Sequence, residues 1–433
     1  MAKAVRTRLR IHTTLTFKDK IEGNILFQRM AKVADTKVTI DPGIDLSNPT
    51  LSHHRVWTNA RKNAKSIDAY VLFIAPDSVW SNGSLNHFAN ILKKRPGAIF
   101  FPGFRATQET FCTDIKKIFP DTDIPIELSS RDLMRIAARN MSPLMTVFLH
   151  DSPSFPKHAE NILWPVADEG FIVRQPIAHS FFAIGPEGID INEYSLPASD
   201  RDLEKIHWVT DSDNIMFVSF SPLCAYTEWY TSRGPMSSVS VAQYSLSIDN
   251  PIVDVLSRRA FRFHSEPCTE ALWRQEQRKS DIFIERFMVA RSLLRIWRVL
   301  REQKLIHASK WLALALAGRE LDRIATNVDA LTVFVPTDEA VDMLPTLLRD
   351  TLALPSGKKD LFQALSAHVY QGKLKASDLT IIARQTGQIY DLKITKKFGR
   401  LFVNGAMIIV SDIVAGQHTL HIIDRVLAPV PKG

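Results

Sequence analysis

The sequence predicts an α/β domain with a doubly wound, mostly parallel sheet, followed by a smaller domain of mixed helices and strands. Strand-like and helix-like stretches alternate between residues 8 and 105, as expected of a parallel sheet covered by helices. The continuous apolar run at 69–74 ends shortly before a proline, as a buried parallel strand does. Near the carboxyl end, Asn404-Gly405 separates two apolar alternations and predicts a β-hairpin.

The composition predicts a soluble globular protein of two or three domains. The chain has 433 residues, of which 45% are hydrophobic and 23% are charged. No apolar run is long enough to cross a membrane, and no apolar signal-peptide segment follows the basic amino terminus. The 3 cysteines are widely spaced, which argues against a disulfide framework or a structural zinc site. We therefore expect a cytoplasmic protein.

Local patterns place the individual elements. Predicted strands lie at 8–15, 37–40, 98–101, 206–210 and 215–219, and predicted helices at 54–65 and 280–303. Ser84 is suited to cap a further helix, whose apolar face would carry Leu85, Phe88, Ile91 and Leu92. We expect a first domain over 1–265, a linking arginine-rich helical segment over 266–304 and a second domain over 305–433.

Four motifs follow one another in the last hundred or so residues. They are LTVFVPTDEAVDML at 331–344, LFQALSAHVYQGKL at 361–374, LFVNGAMIIVSDIVA at 401–415 and HTLHIIDRVLAPV at 418–430. In this order they resemble the fasciclin (FAS1) family. The resemblance implies an α+β fold and a binding or adhesion module with a protein or glycan partner. The chain departs from the family at residues 416–418, where Gly-Gln-His stands in place of the commoner Asn-Gly.

Three residues of these motifs are candidates for chemistry. They are His368, His421 and Asp424. The resemblance implies that they orient backbone and strand pairs. The alternative is that the fasciclin domain has been recruited to small-molecule chemistry, with His368 or His421 near a pocket.

The first 265 residues resemble a GT-A type glycosyltransferase of a bacterial kind. The resemblance is carried by RIHTTL at 10–15, DAYVLFIAPDSVWSNGSL at 68–85 and GAIFFPGFRATQETF at 97–111. It implies a nucleotide-sugar donor held with Mn²⁺ or Mg²⁺, with Asp77 binding the metal or the diphosphate and Arg105 a phosphate. The family's DxD motif is incomplete at Asp77, because its third position is Val79.

Further candidates lie in the middle of the chain. A literal DxD occurs at Asp211 and Asp213 and predicts metal ligands or, alternatively, an acidic hairpin loop. Asp168 and Glu169 could supply a general base for an acceptor hydroxyl, or form an ordinary turn. His179 could complete a metal shell, or be a histidine at the edge of the core.

Residues 286–301 form a basic amphipathic pattern with five arginines and no acid. On a helix, Arg291, Arg295 and Arg298 share one face and Arg301 lies beside them. The opposite face carries Val289, Leu293, Ile296 and Leu300. Such a helix could bind anionic lipid or phosphate, or could join two domains through arginine–acid pairs. No motif indicates nucleic-acid binding.

Two functions are consistent with these patterns. The first is a glycosyltransferase that moves a sugar from a nucleotide donor to an acceptor, with the fasciclin domain as an accessory binding domain. The second is a non-catalytic scaffold that uses its fasciclin domain to bind a protein or glycan. The sequence contains no P-loop, no nucleophile elbow and no HExxH zinc motif, so nothing in it supports those chemistries.

Overall fold

The computed structural model describes residues 8–13, 21–33, 35–40, 49–72, 77–120, 126–154, 160–176, 182–186, 203–225, 236–248, 251–318, 330–379, 384–386 and 391–428. The chain divides into two compact units, the first of residues 1–235 and 250–277 and the second of residues 236–249 and 278–433. The predicted domain boundaries at residues 265 and 304 remain predictions. Within the described ranges, no helix combines the length and the apolar character needed to cross a membrane.

The first unit is built from short strands and helices. Its strands are β1 (Arg8–Thr13), β2 (Asp35–Ile40), β3 (Val71–Leu72), β4 (Ser78–Trp80), β5 (Ala98–Phe100), β6 (Phe104–Thr107), β7 (Ile162–Pro165), β8 (Gly170–Arg174), β9 (Phe182–Ile184), β10 (Ile206–Trp208), β11 (Phe217–Ser221) and β12 (Phe261–His264). Its helices are α1 (Ile25–Val33), α2 (Pro49–Ser66), α3 (Ser84–Leu92), α4 (Gln108–Ile118), α5 (Ser130–Arg139) and α6 (Pro143–Thr146). After α7 (Ser238–Ser245), which belongs to the second unit, come α8 (Pro251–Arg258) and the start of α9 (Glu270–Glu302).

The described strands of the first unit pair in a mixed pattern. Their orders are β1-β2, β10-β5-β9-β3, β4-β11-β6 and β12-β8-β7. Only β1-β2, β5-β10 and β6-β11 are parallel among them, and the other five pairs are antiparallel. The prediction of a mostly parallel sheet is therefore wrong for the described strands. The reason is that β9 inserts antiparallel between β5 and β3, while β7 and β8 form a hairpin.

The apolar run at 69–74 illustrates this difference. Of this run, Val71 and Leu72 form strand β3, which is half-buried and pairs antiparallel with β9. Residues 73–76 lie outside the described part of the chain. A continuous apolar run does not specify strand direction, because a parallel and an antiparallel neighbouring strand can each satisfy the backbone hydrogen bonds.

The predicted helix α3 is present, but Ser84 is its first residue and Gly83, instead of Ser84, occupies the capping position. The Ser84 hydroxyl is buried and bonds to the backbone of Met216 instead, donating to its carbonyl at 3.3 Å and accepting from its N–H at 3.1 Å. Phe88 and Ile91 enter the core as expected, whereas Leu85 is 55% exposed. The helix therefore presents a narrower apolar face than its sequence predicts.

The second unit contains one sheet with a core on each face. Its strands are β13 (Leu331–Pro336), β14 (Val369–Gln371), β15 (Arg384–Thr386), β16 (Asp391–Lys397), β17 (Arg400–Val403), β18 (Ala406–Ala415) and β19 (His418–Ile423), in the order β14-β13-β19-β18-β17-β16-β15. Besides α7 and most of α9, its helices are α10 (Ile306–Gly318), α11 (Asp338–Asp342), α12 (Thr346–Ala353), α13 (Lys358–His368) and α14 (Ala376–Leu379). Side chains alternate across the sheet, so Val335 packs on the helical side and Phe334 on the other.

The predicted long helix is present and packs its apolar face into this unit. Val289, Leu293 and Ile296 join the core that contains β13 residues. Arg291 on the other side is fully buried, and its Nη1 donates to the Ser245 hydroxyl of α7 at 2.8 Å. Arg291 is therefore inaccessible to a lipid headgroup or a phosphate, and that part of the prediction is wrong. The periodicity could not reveal this, because residues 236–249 cover the basic face from a distant part of the sequence.

Gly170, at the start of β8, provides a test of how closely β8 and β12 pack. Its φ is +141°, and a Cβ would lie 1.9 Å from the carbonyl oxygen of Phe263. Gly83, with φ of +87°, has nothing within 4 Å of a built Cβ and is the matched control. We expect Gly170→Ala to lower the free energy of unfolding by about 3 kcal/mol or more, and Gly83→Ala by about 1 kcal/mol. Urea unfolding of both variants measures this, and equal losses would contradict the described pairing.

Candidate functional site

The carboxylates of the DxD motif meet a histidine in the first unit. The turn at 211–214 follows β10 and leads into β11, and His264 is the last residue of β12. Two hydrogen bonds join these segments: the Ser212 N–H donates to the Arg262 carbonyl, and the His264 N–H donates to the Ser212 hydroxyl, both at 2.9 Å. Asp211, Asp213 and His264 thereby place potential ligand atoms within 4.8 Å of one another.

The three side chains are already partly engaged. His264 is buried, and its Nε2 lies 3.4 Å from Asp211 Oδ2 while its Nδ1 lies 2.9 Å from Cys268 Sγ. Asp213 forms an ion pair with Arg131, with a shortest distance of 2.7 Å. Carboxylate oxygens and an imidazole nitrogen suit Mn²⁺ or Zn²⁺, and Mg²⁺ through the oxygens. A cation bound here would compete with Arg131 for Asp213.

The Asp211 carboxyl is held in its charged form. Burial alone raises its pKa, but hydrogen bonds from the His264 ring and the Asp213 N–H more than offset this, so the pKa lies below its ordinary value. An ionised carboxylate at neutral pH is what a cation ligand requires. The predicted metal role of Asp211 and Asp213 therefore has a compatible geometry, to which the structure adds His264.

Glu169 has a different environment from the one a general base needs. Its buried carboxylate accepts hydrogen bonds from the Thr269 N–H at 2.7 Å and the Trp273 Nε1–H at 2.9 Å. Hydrogen bonds from Thr269, with a smaller contribution from Trp273, hold its pKa below the ordinary value. A general base works best with a pKa near neutral pH. Glu169 instead accepts a hydrogen bond from the N–H of Thr269, the residue before α9. The neighbouring Asp168 is exposed.

The other predicted ligands lie elsewhere. The Asp77 carbonyl accepts the N–H of Phe220, near the end of β11, whereas the DxD turn leads into the beginning of that strand. Arg105 is half-buried on β6, and its Nη1 donates to Ser221 at 2.8 Å. Asp77 and Arg105 thus flank the far end of β11 from either side. His179 lies outside the described residues.

Sequence reasoning missed His264 and Arg131. His264 is separated from the DxD motif by about fifty residues, and its local sequence FRFH contains no second ligand at metal-binding spacing. Only the pairing of β12 with the DxD turn, through the Asp211–Arg262 bridge, brings it into place. A histidine ending an alternating apolar strand was the available signal, and it is not a specific one.

The motif residues of the second unit are engaged in separate hydrogen bonds. His368 Nδ1 contacts the Ala364 carbonyl at 2.6 Å, and its Nε2 accepts the Leu427 N–H at 2.9 Å. His421 Nε2 contacts the Leu374 carbonyl at 3.0 Å, and its Nδ1 accepts an N–H at 3.3 Å. Asp424 accepts the Met407 N–H at 2.7 Å. Each side chain thus connects a helix or strand to a neighbouring backbone segment.

His418, the last residue of the Gly-Gln-His departure, makes a comparable connection. It is fully buried, and its Nδ1 accepts the N–H of Leu331 on β13 at 3.1 Å. Its Nε2 lies 2.8 Å from the hydroxyl of Ser292 on α9. Burial lowers the pKa of His418 to about 4, and burial likewise lowers that of His368 to about 4. Both rings are therefore neutral at physiological pH.

Three comparisons relate the chain to known proteins. A model of the fasciclin domain family matches residues 307–429. Protein sll1483 from Synechocystis is 32% identical over 120 residues, which are 27% of this chain and 66% of that protein. The chain thus spans slightly less than two thirds of this relative. A solved FAS1 domain pair from the insect cell adhesion molecule Fasciclin I is 19% identical, covers 27% of this chain and 44% of that chain, and has a TM-score of 0.22.

The buried histidines predict that acid destabilises the second unit. Each has a pKa of about 4 when folded and an ordinary value of 6.5. Between these values the unfolded chain binds more protons, so stability is complete above about pH 6.5 and falls as the pH drops toward 4. The full loss is on the order of 3 kcal/mol for each histidine. Urea unfolding across this range measures it.

Replacing either histidine should flatten the pH profile. We expect His418→Gln and His368→Gln to be less stable than the parent chain at pH 7, because a flexible amide does not reproduce both hydrogen bonds and the packing of the buried ring. Their stability should then depend less on pH. Profiles that run parallel to that of the parent chain would contradict the assignment.

Proposed function

Because residues 307–429 match the fasciclin family, we propose that this domain is a binding module that recruits a protein or glycan partner. The proposal is supported by one observation above all. The motif side chains that could carry chemistry, His368, His421 and Asp424, are committed to hydrogen bonds with the backbone. A domain whose reactive groups are occupied in this way acts through its surface.

An apolar cavity beside His368 bears on the small-molecule alternative. It lies within the second unit, between α9, α10, β13 and α13, and includes Trp311, Leu331 and Phe334 in its lining. His368 borders it, but both ring nitrogens are bonded to backbone groups. A general base or nucleophile is therefore lacking at this position, and we favour binding over catalysis for the fasciclin domain.

The binding role is tested on exposed apolar side chains of the second unit. Met343 and Leu347 are 80% and 82% exposed, and such side chains are often covered by a partner. Crosslinking mass spectrometry in cells that express the chain should identify a partner whose crosslinks fall several-fold in Met343→Ser/Leu347→Ser. Val414→Ser, at a position 65% exposed on β18, is the control. A glycan array of the full chain distinguishes a glycan partner, and the absence of both signals would contradict the proposal.

Glycosyl transfer in the first unit is the second candidate. It is supported by the convergence of Asp211, Asp213 and His264, which could hold a divalent cation. Bound there, the cation would neutralise the diphosphate of a nucleotide-sugar donor. Asp211 and Asp213 would supply anionic ligands, His264 a neutral one, and Arg131 a charge beside them. The fasciclin domain would then serve as the accessory binding domain.

Cation binding gives a direct test of this candidate. Mn²⁺ should raise the melting temperature of the full chain, and one of the UDP-, GDP-, CMP- or dTDP-sugars should raise it further, because ligands that bind only the folded state stabilise it. At a hundredfold excess over the dissociation constant the stabilisation is about 2.7 kcal/mol. Asp211→Asn/Asp213→Asn should abolish both shifts, and His264→Gln should weaken them.

Asp151→Asn is the matched control, because Asp151 is an exposed carboxylate outside the cluster of Asp211, Asp213 and His264. It should keep the parent shifts. An unchanged Mn²⁺ shift in Asp211→Asn/Asp213→Asn would contradict the cation site. A cation shift with no response to any nucleotide sugar would contradict glycosyl transfer alone.

A further inference from the structure

The hairpin between β16 and β17 ends in a fully exposed aromatic side chain. Lys397 pairs with Arg400, so Phe398 and Gly399 form a two-residue turn. The exposure of Phe398 is 102%, the highest among the exposed large apolar residues of the described chain. Exposed phenylalanine at a hairpin tip gains nothing from the fold, because none of its surface is removed from water.

The backbone at this tip is also unfavourable for its sequence. The φ angles are +50° at Phe398 and +76° at Gly399, as in a tight hairpin turn with both central residues left-handed. The next hairpin of the same sheet uses Asn404 and Gly405, with φ of +48° and +83°, for the same kind of turn. Asparagine tolerates this conformation, whereas it is an outlier for a bulky residue such as phenylalanine. The turn alone does not explain why Phe398 is there.

Charge around the tip is concentrated and of one sign. Lys396, Lys397 and Arg400 surround Phe398, and no acidic residue occurs from 392 to 403. All three are exposed. Lys397 and Arg400 are direct cross-strand partners, and like charges in that position repel. Three features thus disfavour this tip in water: an exposed aromatic ring, a positive φ and a like-charge pair.

An anionic membrane surface would remove the ring from water and offset the repulsion between the cations, although it would leave the positive φ unchanged. We propose that the hairpin tip of residues 396–400 docks the protein onto anionic lipid, with Phe398 entering the boundary between headgroups and acyl chains and the three cations contacting lipid headgroups. Aromatic rings partition into that boundary, and basic residues are attracted to anionic leaflets. A single ring without a second stacking partner suits a nucleic-acid strand less well.

Vesicle co-sedimentation of the full chain provides the test. Binding is expected to vesicles of phosphatidylcholine with about 30% phosphatidylserine, and not to phosphatidylcholine alone, at low ionic strength. Phe398→Asn removes the ring while suiting the turn, so it should fold normally and bind about tenfold more weakly. Lys396→Gln/Lys397→Gln should bind about 25-fold more weakly, from about fivefold for each cation.

Two control variants separate this site from the general positive charge of the chain. Lys358→Gln/Lys359→Gln removes two exposed cations from the start of α13, and Val414→Ser removes an exposed apolar side chain from β18. Both should bind vesicles like the parent chain. The proposal is overturned if anionic vesicles are not bound, or if the α13 variant loses as much binding as the tip variant. It is also overturned if a single-stranded oligonucleotide, and not the vesicles, shows the dependence on Phe398.

Discussion

The hydrogen bond between His418 and Ser292 is the contact on which the second unit depends most. It joins the last strand of the fasciclin sheet to the long helix α9, while the other ring nitrogen of His418 holds the N–H of Leu331 on β13. The preceding residue in the helix, Arg291, bonds to Ser245 of α7. Adjacent helical positions point about 100° apart. Two consecutive residues therefore fix α9 against two different segments.

This arrangement makes the unit larger than the family domain. The fasciclin match covers residues 307–429, but the core also includes Leu293 and Ile296 of α9. Asp338, in the family's turn motif, accepts the N–H groups of Ile306 and His307 and so caps α10. Helix α9, which precedes the matched region, is thus held by residues inside it. His418 supplies the hydrogen-bonded connection to α9.

Local features were the most predictable from the sequence. The Asn404-Gly405 hairpin depends on two residues with positive φ, and its sequence states that requirement directly. Features set by distant pairing were not predictable. The apolar run that contains β3 looks the same whether its neighbour is parallel or antiparallel, and β9 lies more than a hundred residues away. The helical pattern predicts the same position for Arg291 as for a solvated arginine. It does not reveal that Arg291 is fully buried, because the sequence of the covering helix α7 carries no recognisable signal for this contact.

The candidate cation site was predictable only in part, because one of its residues is brought into place by distant pairing. Asp211 and Asp213 are two residues apart in sequence and form a recognisable motif, whereas His264 joins them only through the pairing of β12 with their turn. Glu169 shows the converse error. Its position beside Asp168 suggested a base, but its partners Thr269 and Trp273 lie about a hundred residues away and occupy its carboxylate.

The interrupted order of the two units has a consequence for how the chain folds during synthesis. Residues 236–249 leave the ribosome before residues 250–277, which complete the first unit, yet the remainder of their own unit extends over residues 278–433. At roughly 5–20 residues per second, the end of that unit follows about ten to forty seconds later. Until then, the buried side chains Val241 and Ala242 of α7 have no finished core to enter. The nascent chain therefore exposes the buried face of α7 for longer than it would if the residues of the second unit were contiguous.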